Sequence, residues 1–585
     1  MTEQIPPAVP DAVLAALDSE QREVALAARG PVCVLAGAGT GKTRAVAHRI
    51  GYAVATSVVR PDRVLAVTFT TRAAGELRNR LRELGQQAVP GGGLERVQAR
   101  TFHAAALRQL THFWPSTVGG QPPALVESKM ALLAEAAKRV RMKLEPAGLR
   151  DAAAEIEWAK VTQVRPDYYQ LASEKADRAG PLPPGQLAAL YAAYEELRAH
   201  RHLVDFESVL ELTAAILAAH PVAAATVRDR YRYFVVDEYQ DVNPLQQLLL
   251  SQWVGPRDDI CVVGDPRQTI YSFAGATPSY LTGFPLRFPA ATVIRLVRNY
   301  RSTPQVVLLA NRVFARSGRT APLVAQRPAG PPPRLTEYPD EQAEAAAVAQ
   351  QIMRLVADGV APGQMAILVR TNAMTVGYED SLGAAGLPVQ LRGAERFFER
   401  GEVKQAVGLL KVAARSASPD EDPASQVRPV LTGLGLTREP PAGRGKARDR
   451  WESLDTLARL AGDFFTGTPG ARLADLVAEL ELRSATGHLP DPGGVTLASL
   501  HAAKGLEWDV VFLPGLTEGA LPIVYAQTAD AIEEERRLLY VGLTRARERL
   551  FLSWSLAREP GGRPTRKPSR FIGDLRGTSP RRSPA

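Results

Sequence analysis

The chain has 585 residues, of which 71 are Lys or Arg and 62 are Asp or Glu, so its formal net charge is +9. At about 100 to 200 residues per domain, this length predicts three or four domains with more than one buried core. The only cysteines, Cys33 and Cys261, are too few for a disulfide framework or a cysteine-based zinc or iron–sulfur site. The basic balance fits a polyanionic partner. No leader pattern and no apolar run of about 18 residues occurs, so we expect an intracellular chain with no membrane span.

Short runs rich in β-branched residues recur along the chain and predict buried strands. They lie at residues 32–35, 64–68, 233–236, 260–263, 292–296, 365–369, 495–497, 510–513 and 550–553. Most precede a turn and a helical pattern, which is typical of βα units around parallel sheets. The runs are about twice as many as one doubly wound sheet needs. We therefore expect an α/β fold with two such domains.

Segments without strand patterns separate these units. Residues 116–200 and about 395–485 show helical patterns and no strand, so we expect helical insertions there. Residues 328–333 and 440–450 are predicted to be loops, and the end of the chain is predicted to be a basic, disordered tail.

The first predicted strand runs into a glycine-rich turn, Ala36-Gly37-Ala38-Gly39-Thr40-Gly41-Lys42-Thr43, and then into a helix. This context predicts a P-loop, in which backbone N–H groups and the lysine hold phosphates and Thr43 ligates Mg²⁺. Ala36 stands where the general pattern has its first glycine. The alternative is a plain strand-to-helix turn with a solvated lysine.

Two carboxylates follow the strand at residues 233–236. Asp237 is placed to hold Mg²⁺, and Glu238 is placed to polarise an attacking water, which favours hydrolysis over transfer to a bound acceptor. The alternative is a solvated acidic loop.

Asp237 also opens a longer motif, Asp-Glu-Tyr-Gln-Asp-Val-Asn, and here the chain resembles the UvrD/Rep family of superfamily 1A DNA helicases. Other segments resemble the family's motifs in the family's order. They are residues 17–21, 68–74, 99–103, 263–271, 296–302, 495–507, 535–547 and 568–571. The resemblance extends from residue 17 to about residue 572.

The resemblance implies two RecA-like P-loop motor domains, each with a parallel sheet flanked by helices and each carrying a helical insertion. The first motor domain, 1A, would comprise residues 1–115 and 201–290, with insertion 1B at 116–200. The second, 2A, would comprise residues 291–392 and 486–575, with insertion 2B at 393–485. Insertion 2B would be about half its usual length, and residues 576–585 would form the tail.

The resemblance also implies roles around ATP. Arg301 and Arg545 would reach the γ-phosphate, and Gln268 would sense it. Further residues would contact the nucleoside: Gln21 at the adenine edge, Arg44 and Tyr300 on its faces, and Glu507 at the ribose. Taken alone, Tyr300 could be a core aromatic and Arg545 a helix-surface charge.

Contacts to DNA are implied for aromatic and polar residues, because stacking holds any base sequence. The candidates are Phe69, Thr101, His103, Phe206, Tyr271 and Phe273. Phe69 and Phe206 could instead be core residues. The family usually has Trp and Arg where this chain has Phe273 and Ala274, which predicts weaker coupling between DNA binding and hydrolysis.

The implied activity is ATP-dependent 3′ to 5′ unwinding of DNA in repair or recombination, with ATP and Mg²⁺ as cofactors. The implied partners are single-stranded DNA, single-strand/duplex junctions and a repair or recombination protein, in a bacterial cytoplasm or nucleoid. Two alternatives stay open: a translocase that displaces bound proteins and unwinds poorly without a partner, and an ATP-gated scaffold. RNA is a further alternative track, because no residue visibly reads a 2′-hydroxyl.

Overall fold

The computed structural model describes residues 10–576, except positions 90, 145, 177, 179, 316–320, 393–397, 399–400, 417–421, 439–445, 469, 487–492 and 525. The chain forms two compact units, Met1–Tyr300 and Arg301–Ala585. Of the tail predicted at 576–585, residues 577–585 lie outside the described residues, and Arg576 is the last residue of a helix.

The first unit is built on a six-stranded parallel sheet in the order β3-β2-β6-β7-β1-β8. The strands of this unit are β1 (Val32–Ala36), β2 (Val64–Thr68), β3 (Gln98–Thr101), β4 (Ala124–Leu125), β5 (Leu203–Val204), β6 (Tyr233–Val236), β7 (Ile260–Gly264), β8 (Thr292–Leu296) and β9 (Arg298–Asn299). Strands β1, β2, β6 and β7 are almost wholly buried, because helices cover both faces of the sheet.

Fourteen helices of this unit lie within the described residues. They are α1 (Pro10–Leu14), α2 (Ser19–Leu26), α3 (Lys42–Ala55), α4 (Thr71–Ala88), α5 (Phe102–Thr117), α6 (Lys129–Arg139), α7 (Pro146–Val161), α8 (Tyr169–Lys175), α9 (Pro184–His200), α10 (Phe206–Ala219), α11 (Pro221–Arg230), α12 (Pro244–Val254), α13 (Ser279–Thr282) and α14 (Phe284–Arg287). Several begin at a side-chain cap, such as Thr101 before α5 and Asp205 before α10.

Helices α6 to α9 form a separate helical cluster with its own apolar core, which includes Leu133, Ile156, Leu190 and Tyr194. The prediction that residues 116–200 lack strands was wrong at β4. This two-residue strand pairs in parallel with β5, because the chain enters and leaves the helical cluster side by side.

The second unit is built on another six-stranded parallel sheet, in the order β11-β16-β15-β12-β14-β13. Its strands are β10 (Val324–Ala325), β11 (Arg334–Asp340), β12 (Met365–Val369), β13 (Val389–Arg392), β14 (Val495–Ser499), β15 (Trp508–Leu513) and β16 (Ala546–Ala557). Its helices are α15 (Pro304–Val313), α16 (Glu341–Ala357), α17 (Thr375–Ala384), α18 (Gly401–Ser416), α19 (Pro423–Gly433), α20 (Lys446–Gly467), α21 (Leu473–Thr486), α22 (Ala529–Leu543) and α23 (Arg570–Arg576).

Helices α18 to α21 pack around a second helical core. The loop predicted at 440–450 was wrong from Lys446 onward, because α20 begins there. Leu454, Leu457 and Leu460 recur every third residue and are buried, a spacing that supports a helix. Residues 439–445 lie outside the described part of the chain.

All nine predicted strands are present, and two six-stranded parallel sheets confirm the predicted α/β fold. The boundary expected at 290/291 was wrong, because β8 pairs with β1 in the first sheet and the first unit extends to Tyr300. The sequence patterns also missed β3, β11 and β13.

Among the described residues, no single helix combines the length and apolar character needed to cross a membrane. The bent pair α10 and α11 passes that test by length and composition only.

Candidate functional site

The glycine-rich turn connects β1 to α3, whose first residue is Lys42. Gly41 precedes the helix with φ +76°, a left-handed conformation that favours glycine. A Cβ at Gly41 would lie 2.6 Å from Gln21 Nε2, so a side chain there would have to displace the Gln21 amide. Thr40 Oγ1 donates to the Gly37 carbonyl at 2.8 Å and closes the turn. Thr43, the second residue of α3, is half-buried.

Side chains and backbone from outside the turn fix its shape. Buried Gln21 donates through Nε2 to the Thr40 carbonyl at 3.0 Å. Asn299 Nδ2 donates to the Ala38 carbonyl at 2.7 Å, and the Tyr300 N–H donates to the Gly39 carbonyl at 2.8 Å. The turn is thus held in one conformation, as a preformed anion site requires.

Two other residues predicted to contact the nucleoside, Arg44 and Tyr300, contact the segment just before α2. The Arg44 guanidinium donates to the Ala16 carbonyl, and the Tyr300 hydroxyl donates to the Asp18 carboxylate. Asp18 also caps α2 by accepting from the Gln21 N–H at 2.9 Å. Asp18 therefore connects Gln21 and Tyr300, each of which also contacts the glycine-rich turn directly.

A partly buried charge cluster lies beside the turn, because β1, β7 and β6 are adjacent in the sheet and their carboxyl ends meet at one edge. Lys42 Nζ lies 2.9 Å from Glu238 Oε1. Glu238 has φ +52°, and its N–H donates to Asp237 Oδ1 at 2.9 Å. The two predicted carboxylates and the predicted lysine are therefore brought together.

The charges in this cluster shift one another's titration. Burial alone would favour the neutral lysine, but the charges of Glu238, Asp237 and Asp265 outweigh it and raise the pKa of Lys42. Burial, and then the Glu238 charge, raise the pKa of Asp237 to about 6 despite the nearby Lys42. A buried carboxylate of this kind suits a divalent cation, so Asp237 and Thr43 fit Mg²⁺ held together with ATP phosphates.

A chain of side-chain hydrogen bonds runs from this cluster to the end of β7. Gln240 Nε2 donates to Glu238, and Gln240 Oε1 accepts from the Asp265 N–H at 3.0 Å. Asp265 Oδ2 accepts from Gln268 Nε2 at 3.0 Å. Gln240, Asp265 and Gln268 are all buried, so Gln268 is connected to Glu238 through fixed polar contacts.

The second unit holds the two predicted arginines. Arg301 pairs with Glu507 and donates to the Thr544 carbonyl at 3.1 Å. Arg547 also pairs with Glu507, 2.5 Å away. Burial alone would raise the pKa of Glu507, but these two guanidinium groups lower it. Glu507 therefore forms ion pairs with two arginines, in addition to its predicted role at the ribose.

Arg545 is buried, with 2% of its surface exposed. Its guanidinium donates to the Val541 and Leu506 carbonyls, each at 3.0 Å, and to Thr544 Oγ1 at 3.3 Å. The side chain is thus built into the second unit rather than lying on a helix surface. Its contact with the γ-phosphate stays a prediction.

The candidate DNA contacts lie in the first unit, at the carboxyl ends of β2 and β3 and in nearby segments. Phe69 packs edge-on to Phe102 at 6.2 Å between ring centroids and is only half-buried. Phe206 is 57% exposed and lies 5.7 Å from the His103 ring. Phe206 is therefore not a core residue, and Phe69 is only partly buried in the core.

Two further candidates follow the buried end of β7. The rings of Tyr271 and Phe273 lie edge to face at 6.1 Å, and Phe273 is 57% exposed. Thr101 caps α5 by accepting from the Ala104 N–H at 3.2 Å. Thr101 therefore has a structural role in addition to its predicted contact with the DNA backbone. Burial lowers the pKa of His103, which favours its neutral form.

Sequence reasoning missed several residues that shape the site. They are Asp18, Gln240, Asp265, Asn299 and Arg547. All of them lie within the motif segments or next to them, so membership of a motif could have identified them as candidates. The partners of Asp18 and Asn299 lie 282 and 261 residues away along the chain, and Arg547 pairs with a residue 40 positions away, which the sequence does not show.

The glycine-rich turn, its lysine and the paired carboxylates on a parallel sheet define a P-loop type of nucleotide-binding protein. Residues 17–289 match the family model of the UvrD/REP helicase N-terminal domain, and residues 294–421 and 424–557 match the UvrD-like helicase C-terminal domain. The chain belongs to the UvrD/REP helicase family, and its two parallel sheets are the RecA-like domains of that family.

Individual relatives agree with this assignment. The chain is 52% identical to ATP-dependent DNA helicase UvrD2 of Mycobacterium tuberculosis strain H37Rv, over 97% of this chain and 82% of the relative. It is 28% identical to ATP-dependent DNA helicase UvrD1 of Mycobacterium leprae, over 98% of this chain and 87% of the relative. It is 29% identical to ATP-dependent DNA helicase PcrA of Leuconostoc citreum, over 96% and 84%.

The raised pKa of Asp237 predicts a pH-dependent cost to folding. A folded-state pKa above the ordinary value near 4 means that ionised Asp237 destabilises the fold above about pH 6, whereas the protonated form below about pH 4 does not. Asp237→Asn should therefore raise the unfolding temperature by roughly 2–6 °C at about pH 8, and the gain should shrink toward pH 4. Calorimetry without nucleotide or metal measures this. Asp167→Asn, at an exposed position, controls for loss of one negative charge; a gain that does not change with pH would contradict the prediction.

Gly41→Ala should weaken nucleotide binding. The added Cβ strains a left-handed residue by about 1 kcal/mol and displaces Gln21 from the Thr40 carbonyl. We expect the Kd of a fluorescent ATP analogue to rise at least roughly tenfold, because the phosphate turn and the predicted adenine contact are both disturbed. Gly30→Ala, at a left-handed glycine with open space around it, is the matched control. Equal affinity in both variants would show that the turn tolerates a side chain.

Proposed function

We propose that this chain is an ATP-driven DNA motor that moves 3′ to 5′ on single-stranded DNA and separates duplexes during repair or recombination. The observation that carries this is the polar path Lys42–Glu238–Gln240–Asp265–Gln268. It begins at the phosphate turn and ends just before the segment that carries Tyr271 and Phe273. Nucleotide state and DNA contact would therefore act on one connected set of side chains.

The residues beside the turn support hydrolysis. Glu238 lies next to Lys42 and would accept a proton from the attacking water, while Lys42 would neutralise phosphate charge. Mg²⁺, held by Thr43 and Asp237, would supply charge compensation for the β- and γ-phosphates. Gln268 would report the γ-phosphate to the DNA-facing segment.

The arginines of the second unit would complete the site when the two motor domains close on ATP. Arg301 is pre-oriented by Glu507 and the Thr544 carbonyl, and Arg545 by three acceptors of its own unit. An arginine finger contributes about 10³ to 10⁵ in rate in GTPases. Arrival of the arginines on closure would connect ATP turnover to domain motion.

The exposed rings support a track of single-stranded DNA. Phe206 and Phe273 each present more than half of their surface, and stacking on a base contributes about 1–3 kcal/mol with little sequence preference. Single-stranded DNA and its junctions with duplex are therefore the proposed substrates, with a repair or recombination protein as a further partner. The similarity to helicases of Mycobacterium tuberculosis and Leuconostoc citreum supports a place in a bacterial cytoplasm or nucleoid.

A strand-separation assay tests the proposal. We expect unwinding of a duplex with a 3′ single-stranded tail, none of a duplex with a 5′ tail, and ATP consumption that DNA stimulates above a basal rate. Lys42→Ala should abolish turnover, because phosphate charge loses its compensation, while binding to a labelled oligonucleotide persists. Lys138→Gln, an exposed lysine on α6, is the control. Turnover by Lys42→Ala at the wild-type rate would refute the assigned phosphate site.

A second candidate is a translocase that displaces bound proteins and unwinds poorly without a partner. The observation that favours it is the segment Phe273–Ala274, which offers a smaller ring and no guanidinium where the family usually has Trp and Arg. ATP consumption stimulated by single strands without separation of either duplex would support this candidate over autonomous unwinding.

Phe273→Ala should lower DNA-stimulated hydrolysis more than basal hydrolysis. Loss of one stacked ring predicts a roughly tenfold rise in the DNA concentration for half-maximal stimulation. Steady-state ATP turnover titrated with oligothymidylate measures this, and Leu286→Ala, an exposed apolar residue elsewhere in the unit, is the control. Equal loss of basal and stimulated rates would assign Phe273 a structural role.

A further inference from the structure

Both residues that flank the exposed Phe206 are held by lysines of the helical cluster α6 to α9. Lys160, near the end of α7, places Nζ 2.8 Å from Asp205 Oδ2. Lys129, the first residue of α6, places Nζ 3.0 Å from Glu207 Oε2. Phe206 lies between these two ion pairs, and we call the four charged residues the lysine clamp.

The Lys160 half of the clamp is buried. The Lys160 side chain is 1% exposed and also contacts Ser208 Oγ at 2.8 Å, while the Tyr194 hydroxyl donates to Asp205 Oδ2 at 2.9 Å. Burial alone would raise the pKa of Asp205, but Lys160 lowers it well below its usual range. The paired charges are thus satisfied in place, as a buried ion pair needs to be.

Asp205 also begins the helix that carries Phe206. Its Oδ1 accepts from the Ser208 N–H at 2.8 Å, which caps the first turn of α10. One carboxylate therefore fixes both the ion pair and the helix start. The first turn of a helix opens easily. Because Lys160 of α7 holds the capping residue Asp205, the ring of Phe206, the next residue, is restrained as well.

The end of α7 also contacts the segment of the other exposed ring. A Cβ at Gly275 would lie 2.7 Å from Val161 Cγ2, so the backbone after Phe273 packs directly against the residue that follows Lys160. Arg178 Nη1 donates to the Phe273 carbonyl at 3.3 Å. The helical cluster thus contacts the segments of both exposed rings.

We propose that Lys160 and Lys129 are positioning residues that hold the Phe206 ring in the orientation required to stack on single-stranded DNA. The inference rests on the proposed function, because it needs Phe206 to contact bases. It assigns the helical cluster a part in DNA binding that acts through Asp205 and Glu207 rather than through phosphate contacts of the lysines themselves.

A double-mutant cycle tests the Lys160 half on the full-length chain. Binding to a fluorescein-labelled oligothymidylate without nucleotide is measured for Lys160→Met, Phe206→Ala and the double variant. We expect affinity to fall about tenfold for Phe206→Ala and about fivefold for Lys160→Met. The double variant should be no weaker than Phe206→Ala, because Lys160 acts through that ring. Losses that multiply to about 50-fold would overturn the proposal.

The Lys129 half supplies a variant that does not empty a buried site, since its side chain is 19% exposed. Lys129→Gln should weaken binding about threefold, and this loss should vanish in the Phe206→Ala background. The slope of log affinity against log salt should equal the wild-type slope. A slope reduced by about one would show that Lys129 neutralises a phosphate directly, and this would overturn its positioning role.

Lys138→Gln removes the same charge from the other end of α6 and should leave binding unchanged. A loss in this control equal to that of Lys129→Gln would also overturn the proposal, since charge alone would then explain it. If Lys160→Met does not fold in thermal unfolding, the Lys129 variants decide the question. Failure of the proposed function looks different, because wild-type ATP hydrolysis would then not respond to single strands.

Discussion

The ion pair between Lys42 and Glu238 is the contact on which the rest of the site depends. It joins the end of β6 to the start of α3, two positions separated by almost 200 residues in the chain. The parallel sheet brings these two residues together, because β6, β7 and β1 are adjacent strands whose carboxyl ends lie at the same edge. Lys42 there faces three carboxylates, Asp237, Glu238 and Asp265, and Arg267 pairs with Asp265, so the carboxylates still outnumber the cations by one. That imbalance suits a site built to receive a divalent cation along with the anionic nucleotide.

The same sheet edge also explains how a nucleotide site can influence a distant surface. Gln240 and Asp265 leave neighbouring strands, so their side chains reach each other without a long loop, and they pass the connection to Gln268. The exposed ring of Phe273 follows five residues later. Buried hydrogen bonds in such a path have few alternative partners, so under the proposed function a change at Glu238 would be passed along the path to Gln268.

Much of the fold could be predicted because its buried strands are short, β-branched and apolar, and all nine of those strands are present. Strand β11 escaped prediction because it lies at a sheet edge and reads Arg-Leu-Thr-Glu-Tyr-Pro-Asp, with mostly exposed positions and a proline. Residues of the phosphate turn were predictable because phosphate binding depends on the spacing of glycines and a lysine within one short segment of the sequence. The neighbours of Arg545 and Glu507 were not predictable, because the sequence shows neither the burial of a helix-end arginine nor a partner about 40 residues away.

Lys42 and Lys160 have opposite electrostatic roles in this chain. At Lys42 the carboxylates outnumber the cation, and the pKa of Asp237 rises to about 6, so folding alone leaves that group incompletely compensated. At Lys160 the pKa of Asp205 falls despite burial, because Lys160 and then Lys129 stabilise its charge, and a tyrosine hydroxyl and a backbone N–H also donate to this carboxylate. The first arrangement keeps binding capacity for a ligand, whereas the second is complete within the protein and can only hold structure. An ion pair satisfied to that degree beside a 57% exposed phenylalanine is best explained as support for the ring, because neither partner has capacity left for a ligand of its own.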